Sequence, residues 1–278
     1  MDSFFLLLKV IVLGIVEGIT EFLPVSSTGH MILVGAFLGT DQGSYQEFFN
    51  LFEIVIQFGA ILAVVVLYRS RIMSVLRHLG RGQYGRRLVL AIIAALVPTV
   101  IVAVLFYKRL GALLMHPFPV SLSLIVGGIA LIYCERKYAG RGHVKHMEDV
   151  TIREGFWVGV FQCISFLWPG FSRSAATIIG GWTVGMTTVA AADFTFFLAI
   201  PTMFGASLYG MHDATDLNLT GFSILLLIIG FIVAFLVALF VVKKFIGFLK
   251  KKPLRVFGSY RIIVGVIMVV LSLTHLLV

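Results

Sequence analysis

Long runs of apolar residues, separated by short polar segments, make up most of the chain. Six of these runs are long enough to be complete membrane-spanning helices, and they lie at about 51–68, 88–107, 118–134, 190–210, 220–242 and 258–277. A helix needs roughly 20 apolar residues to cross a hydrocarbon core about 30 Å thick. The pattern therefore predicts an all-α polytopic membrane protein.

Two further apolar segments, at 4–39 and 155–186, are each broken by a polar turn that contains proline. The first piece of the first segment, residues 4–16, would cover only about 20 Å at a rise of about 1.5 Å per residue. We therefore predict that each segment is a re-entrant helical hairpin. In the alternative topology, residues 4–23 form a complete span and the symmetry of the two halves is lost.

A hairpin followed by three spans occurs twice along the chain, and because three is odd the second copy is inverted in the membrane. This order predicts an inverted-topology repeat with a first half at 1–134, a basic cytoplasmic loop at 135–153 and a second half at 154–278. Broken segments at matching places in two halves indicate a site near the bilayer midplane. At an offset of 145, Glu17 corresponds to Gln162, and the identical pairs are Gly14/Gly159, Ile19/Ile164, Pro24/Pro169 and Ser27/Ser172.

Composition excludes an ordinary soluble domain, because 59% of the residues are hydrophobic and only 13% are charged, where about a quarter would be expected. The net charge of +9 would suit a nucleic-acid partner, but eighteen of the 22 Lys and Arg residues lie in three short loops, at 69–87, 135–153 and 243–261. Basic loops between spans stay in the cytoplasm and favour anionic head groups. We therefore expect membrane phospholipids as partners and no nucleic acid.

The two loops that this scheme places outside lack Lys and Arg and carry four acidic residues: Asp41 and Glu47 in 40–50, and Asp213 and Asp216 in 211–219. Lys108 and Arg109 are exceptions, since they also fall outside. No cleavable signal peptide is expected before the first apolar segment. Cys134 and Cys163 lack disulfide or metal-ligand spacing and are expected to be packing residues.

The first hairpin contains the polar stretch EGITEFLPVSSTGH at 17–30. Glu17 and Glu21 are four residues apart and therefore share one helix face. A carboxylate at membrane depth costs roughly 2.5 to 3.5 kcal/mol, so two of them favour a shared proton or a bound cation. The alternative is a capping or packing role.

The polar turn of the first hairpin provides hydroxyl groups where a new helix should start. Pro24 ends the preceding helix, and Ser26, Ser27 and Thr28 add hydroxyls to the free N–H groups of the next helix, which favours binding of an anion. His30 follows Ser27 by about one turn, so its imidazole could reach that hydroxyl or a phosphate oxygen. A purely structural His30 is the alternative.

The second hairpin contains the stretch PGFSRSAAT at 169–177, in which Arg173 is the one basic residue expected at membrane depth. A buried guanidinium is best satisfied by a phosphate or a carboxylate. Ser172, Ser174 and Thr177 could donate further hydrogen bonds to a phosphate, and Gly170 allows close approach of the backbone. Alternatively, Arg173 is a structural partner of Glu17 or Glu21.

The two hairpins, placed tip to tip, would surround one pocket inside the bilayer. Such a pocket could hold the head group of a phosphorylated lipid while the tail stays in hydrocarbon. The residues alone therefore indicate a phosphate or pyrophosphate lipid and acid-base or nucleophilic chemistry. A transporter or flippase for such a lipid fits the same repeat.

The two polar stretches resemble the signature motifs of bacterial undecaprenyl-diphosphate phosphatases, the bacitracin-resistance family. Chain length, segment order and the stretch 52–63 with Gln57 fit as well, so the resemblance covers essentially the whole chain. Ala175 departs from the motif, where a glycine is expected. The type 2 phosphatidic acid phosphatases are a weaker resemblance through residues 27–30, because their Lys-Arg signature and second histidine motif are absent.

The resemblance implies hydrolysis of undecaprenyl diphosphate to the monophosphate and inorganic phosphate, which recycles the carrier of cell-wall precursors and confers bacitracin resistance. It also implies a multi-pass protein of the bacterial plasma (inner) membrane, with its site open to the periplasmic or outer face and with a divalent cation, Mg²⁺ or Ca²⁺. Whether the protein forms a homodimer is left open.

In our mechanistic hypothesis, Ser27 attacks the terminal phosphorus while His30 and Glu21 handle its proton and Glu17 shares in proton or metal binding. Arg173 is expected to stabilise the charge on the phosphate oxygens. The other expected phosphate ligands are Ser26, Thr28, Ser172, Ser174 and Thr177. His30 as the nucleophile, or direct attack by water, are the alternatives.

Overall fold

The computed structural model describes residues 3–40, 45–213, 219–274 and 276–277, with the backbone alone at 107–114 and 212–213. The prediction of an all-α protein is confirmed in these ranges, apart from one isolated bridge between Val144 and Met186. The helices are α1 Ser3–Thr20, α2 Ser27–Leu38, α3 Gln46–Arg77, α4 Tyr84–Leu114, α5 Pro117–Tyr138, α6 Ile152–Leu167, α7 Arg173–Thr183, α8 Thr188–Asp213, α9 Gly221–Leu249 and α10 Arg255–Leu273.

Two shorter helices followed by three longer ones occur twice, which is the order that the hydrophobic pattern predicts. Among the described residues, seven helices are long and apolar enough to cross a membrane, and α1 is one of them. The outward faces of the long helices are apolar, with Val104, Phe240 and Ile263 each at least 60% exposed. Such a surface suits contact with lipid tails.

The length argument for the first hairpin is wrong, because α1 continues to Thr20 and has 18 residues. The depth that it reaches nevertheless favours a hairpin. Gly14 lies against Gly230 and Gly18 against Ala234, so α1 runs parallel to α9. The end of α1 is therefore level with the middle of α9, a helix of 29 residues.

Corresponding helices of the two halves run in opposite directions. In the pair α5 and α10, Gly128 lies against Gly258, and Ser121, earlier in α5, lies against Gly265, later in α10. The pair α3 and α8 has the same antiparallel relation, since Phe58 packs against Phe204 and Tyr68 contacts Asp193. These directions support the predicted inversion of the second half.

Each hairpin packs mainly on the opposite half of the chain. Helix α1 packs on α9, and α6 packs on α4, where Gly155 lies against Ala91 and Gly159 against Ala95. Helix α6 starts with a capping box in which Thr151 and Glu154 satisfy each other's backbone N–H groups. Because each hairpin packs on the other half, both hairpin tips lie at the interface between the halves.

The predicted basic loops are partly helical, and one assignment within them is wrong. Arg71 at the end of α3 pairs with Asp193 of α8 at 2.6 Å and with Glu148 of the loop at 3.3 Å. Arg261, counted above with the third basic loop, lies inside α10 and is fully buried. Arg173 is therefore not the only basic residue embedded in the protein. Outside the described residues or side chains lie Asp41, Asp213, Asp216, Lys108 and Arg109.

Candidate active site at the two hairpin tips

Both hairpin tips end in a serine that caps the second helix of its hairpin. Ser26 accepts a hydrogen bond from the N–H of Gly29, and Ser172 accepts one from the N–H of Ala175. Both serines have φ of 74°, and they are the only non-glycine residues with positive φ in the described ranges. This conformation is unfavourable for a residue with a side chain and is typical of functional sites.

The matched caps correct the register of the sequence repeat. Ser26 and Ser172 are equivalent in the structure, whereas the sequence offset paired Ser27 with Ser172. Ser27 instead corresponds to Arg173, since each is the first residue of the helix that follows its cap. The two inverted helices therefore present a hydroxyl and a guanidinium at equivalent positions.

Ser27 and Arg173 converge on the carboxylate of Glu21. Ser27 Oγ donates to Glu21 Oε2 at 2.5 Å, and Arg173 Nη2 donates to Glu21 Oε1 at 2.9 Å. The Glu21 side chain is 6% exposed and that of Arg173 is 12% exposed. The predicted meeting of the hairpins is therefore present, and one carboxylate joins the two tips.

These three residues line a cavity of about 290 Å³ between the halves. Its polar end is formed by the two tips, including Ser26, Thr28 and Ser172. The rest of the wall comes from α3, α4, α6, α8 and the α4–α5 turn, and the lining there is Gln57, Val102, Ala103, Phe106, Met115, Ser165, Phe166, Thr202, Met203 and Ala206. One cavity thus has a polar end suited to a charged head group and a largely apolar wall suited to a lipid tail.

Arg173 has donor capacity to spare. Its Nη2 atom contacts Glu21 and the sulfur of Met203, while Nη1 is buried and has no hydrogen-bond partner among the described residues. An unpaired buried N–H of a charged group costs free energy unless a ligand satisfies it. The N termini of α2 and α7 meet at the same place, and helix N termini attract anions. The polar end of the cavity is therefore suited to a phosphate.

Residues 10–267 match the family model for bacitracin resistance protein BacA. The chain belongs to the BacA family. Relatives that match over nearly the whole length include an undecaprenyl-diphosphatase of Clostridium novyi, 44% identical over 285 residues that cover 100% of this chain and 99% of the relative. Another of Clostridium tetani is 45% identical over 269 residues, covering 96% and 97%. Undecaprenyl-diphosphatase 2 of Clostridium acetobutylicum is 43% identical, covering 97% of each chain.

Within this BacA-family fold, His30 does not contact Ser27. Its Nδ1 atom lies 2.7 Å from the carbonyl oxygen of Ser26, and its Nε2 atom lies 2.7 Å from the hydroxyl of Tyr260. Since a carbonyl only accepts, Nδ1 carries a proton, and in the neutral imidazole Nε2 then accepts from the hydroxyl of Tyr260. The imidazole is also stacked on the Tyr260 ring. The expected contact between His30 and the Ser27 hydroxyl is absent, and Glu21 takes that place.

Three other predicted site residues lie beside the cavity and not in its lining. Ser174 donates to the carbonyl of Leu23 at 2.9 Å and thereby ties the tips together. Thr177 donates to the carbonyl of Arg173 at 2.9 Å. Glu17, which is 4% exposed, lies one turn before Glu21 with its carboxyl group beside that of Glu21.

Among the described residues, no group of three or more His, Cys, Asp or Glu side chains is arranged to hold a metal ion. Mg²⁺, however, is often bound by one or two carboxylates together with phosphate oxygens of the substrate. Glu21, with Glu17 beside it, fits a site of that second kind. The donor set therefore suits a cation that arrives with a phosphorylated ligand.

Sequence reasoning missed several polar residues near the tips. Ser165 and Thr202 line the cavity, but single hydroxyls in apolar helices carry no distinctive signal. Tyr260 and Arg261, on consecutive positions of α10, contact the tips from the side away from the cavity. A basic residue within an apolar stretch was the signal for Arg261, and the nearby lysine-rich loop concealed it.

Proposed function

We propose that the protein is a membrane phosphatase that hydrolyses undecaprenyl diphosphate to undecaprenyl phosphate and inorganic phosphate. The observation that carries this proposal is the arrangement at Glu21, which holds the Ser27 hydroxyl on one oxygen and the Arg173 guanidinium on the other. It places a nucleophile, a base and an anion-binding group at one end of a largely apolar cavity. The names of the BacA-family relatives support the same activity.

In the proposed mechanism, the Ser27 hydroxyl attacks the terminal phosphorus and gives its proton to Glu21. The bond from phosphorus to the bridging oxygen breaks, undecaprenyl phosphate leaves, and Ser27 carries the phosphoryl group. Glu21 passes this proton to the phosphate oxygen of the departing undecaprenyl phosphate. Water then attacks the phosphoryl group and gives a proton to Glu21, the bond between phosphorus and the Ser27 oxygen breaks, Glu21 returns the proton to that oxygen, and inorganic phosphate leaves. Arg173 Nη1 and the N–H groups of the two helix N termini stabilise the charge on the phosphoryl oxygens.

The geometry favours Ser27 over His30 as the nucleophile. Both ring nitrogens of His30 are engaged, and the residue is absent from the cavity lining. We propose that His30 fixes the carbonyl of Ser26 and thereby the strained start of α2. Thr177 acts in the same way on the carbonyl of Arg173 in the second tip, and Ser174 links that tip to the carbonyl of Leu23 in the first. Ser26, Thr28 and Ser172 face the phosphate.

A divalent cation, Mg²⁺ or Ca²⁺, is a further part of the proposal. Glu21 and Glu17 would hold it together with phosphate oxygens of the substrate, and it would supply neutralisation of the diphosphate charge. We expect phosphate release to fall to background in excess chelator and to recover when Mg²⁺ is added back. Full activity of chelator-treated, metal-depleted protein would mean that hydrolysis does not need a divalent cation.

We further propose that the protein lies in the bacterial inner membrane and that the cavity opens to the outer face. Phe106, Met115 and Ala206 line it, and they lie towards the helix ends that the basic loops assign to the outside. At the opposite ends of α3 and α8, the contacts of Tyr68 and Arg71 with Asp193 close the interface. The protein would thus act on lipid diphosphate from the outer leaflet and confer bacitracin resistance.

The experiment that tests this function is phosphate release by purified protein in detergent. We expect turnover of undecaprenyl diphosphate there, because hydrolysis needs no membrane barrier. The antiparallel pairs α3/α8 and α5/α10 also suit a transporter of a phosphorylated lipid. A transporter without phosphatase activity would release no phosphate in detergent but would move the lipid across vesicle bilayers, and that outcome would replace the proposal.

A further inference from the structure

Arg261 is the most deeply buried charged group described in the protein. Its residue exposure is 0%, and it lies in the second turn of α10, a helix otherwise rich in apolar residues. No carboxylate of the described residues forms an ion pair with it. A buried charge is costly unless it is hydrogen-bonded. The free-energy cost of burying this charge therefore has to be offset by a structural or functional role.

The guanidinium of Arg261 contacts backbone carbonyls from three separate elements. Nη1 lies 3.5 Å from the carbonyl oxygen of Pro24 in the first tip. Nη2 lies 3.2 Å from that of Gly170 in the second tip and 3.4 Å from that of Ser123 in α5. The planar group also lies over the ring of Phe171 at 5.7 Å. One side chain thus reaches both tips at once, from behind the cavity.

The packing around Arg261 leaves room for its guanidinium and for little else. Gly127 of α5 faces it, and a Cβ atom at position 127 would overlap Nη2. The neighbouring Tyr260 holds His30, which in turn bonds the carbonyl of Ser26. Consecutive residues of α10 therefore hold the first tip at two carbonyls, and the second of them also holds the second tip.

We infer that Arg261 is a positioning residue that sets the distance and orientation of the two tips, so that Ser27 and Arg173 face the same phosphate. It is not a catalytic residue, because it does not line the cavity. This inference rests on the proposed function, since it concerns the alignment of that site. Without the guanidinium, each tip keeps its own cap, and the tips stay joined by the bond from Ser174 Oγ to the carbonyl of Leu23 and by the Glu21–Arg173 pair. The carbonyls of Pro24 and Gly170, however, lose the group that they share.

Arg261→Met tests the inference, because methionine fills much of the space and removes the hydrogen bonds. We expect kcat for undecaprenyl diphosphate to fall about 10²-fold, the loss typical of a displaced catalytic group, with KM changed less than about threefold because the lipid tail still binds. Arg261→Lys should recover only part of the loss, since one ammonium cannot span three carbonyls. Melting temperature and gel filtration in detergent identify the folded fraction on which kcat is calculated.

Gly127→Ala provides an independent perturbation that leaves Arg261 and every cavity residue unchanged. It should displace the guanidinium and lower kcat by roughly tenfold or more, on the same reasoning. Gly247→Ala is the matched control, because a Cβ there meets no atom of the described residues within 4 Å, and it should behave as the wild type. If Arg261→Met does not fold, the kcat values of Arg261→Lys and Gly127→Ala test the inference in its place.

The inference is overturned if the folded fraction of these variants has the wild-type kcat, since Arg261 would then support folding alone. An inactive wild-type protein would instead overturn the proposed function, so the two failures are distinguishable.

Discussion

Arg173→Ala is expected to lower the rate of phosphate release by three or more orders of magnitude. Loss of one oxyanion donor typically costs about 10²- to 10³-fold in kcat. The substitution removes the unpartnered Nη1 donor and also leaves the Glu21 carboxylate, 6% exposed, without its ion pair. Steady-state kinetics with undecaprenyl diphosphate in detergent measure the effect.

Arg69→Ala is the matched control for this substitution. Among the residues that the structure describes, the Arg69 guanidinium bonds only the carbonyl of Val66 in its own helix, and it is exposed, so its loss should leave turnover near the wild-type rate. Near-normal turnover of Arg173→Ala would place Arg173 outside the site. Arg173 would then only link the two hairpins through its ion pair with Glu21, which is the structural alternative to phosphate binding.

Ser27→Ala should reduce phosphate release by about 10⁴-fold or more, as removal of a nucleophile does in other enzymes. The wild-type protein, quenched in acid after brief exposure to lipid diphosphate labelled at the terminal phosphate, should carry the label on Ser27. Ser223→Ala is a suitable control, because that hydroxyl lies at the start of α9 and, within the described part of the chain, hydrogen-bonds only Thr220. It should retain both turnover and labelling.

The location of the label decides between the alternatives. Label on His30 would make the histidine the nucleophile, and label on neither residue, with turnover intact, would favour direct attack by water. Glu21→Gln extends the test, since the amide can still accept a hydrogen bond from Ser27 but cannot take its proton. Low activity of that variant in a folded protein would support the role of Glu21 as the base.

The meeting of the two hairpins could be predicted from sequence because the relevant signals are local. Proline-containing polar turns interrupt apolar segments, and ionisable residues at membrane depth need partners. Glu21 and Arg173 are of opposite charge and lie in the two interrupted segments, so their pairing was one of few solutions. The structure contains it at 2.9 Å.

The register of the tips could not be predicted, because it depends on backbone conformation. An offset of 145 matches Pro24 with Pro169, but the structural caps Ser26 and Ser172 are 146 residues apart. The second tip is therefore one residue longer. A short identity pattern cannot locate such an insertion, and the correspondence of Ser27 with Arg173 was missed for that reason.

The surroundings of His30 and Arg261 were also beyond sequence reasoning. A spacing of three residues allows His30 to reach Ser27, but a tyrosine 230 positions away holds the ring elsewhere. The run of lysines and the arginine that precede Arg261 belong to a loop or a helix start, whereas Arg261 itself lies inside a helix. Its hydrogen-bond partners are backbone carbonyl oxygens. Backbone carbonyls are present at every residue, so the sequence gives no sign of which ones a buried arginine will contact.

The most direct test of the central claim is a structure of the protein bound to a lipid diphosphate analogue with a non-hydrolysable methylene bridge. We expect the terminal phosphorus to lie between the two tips, with its oxygens bonded by Arg173 and the N terminus of α2, and the Ser27 hydroxyl in line with the bridging carbon. A head group that contacts only one tip, or that binds outside this cavity, would contradict the account.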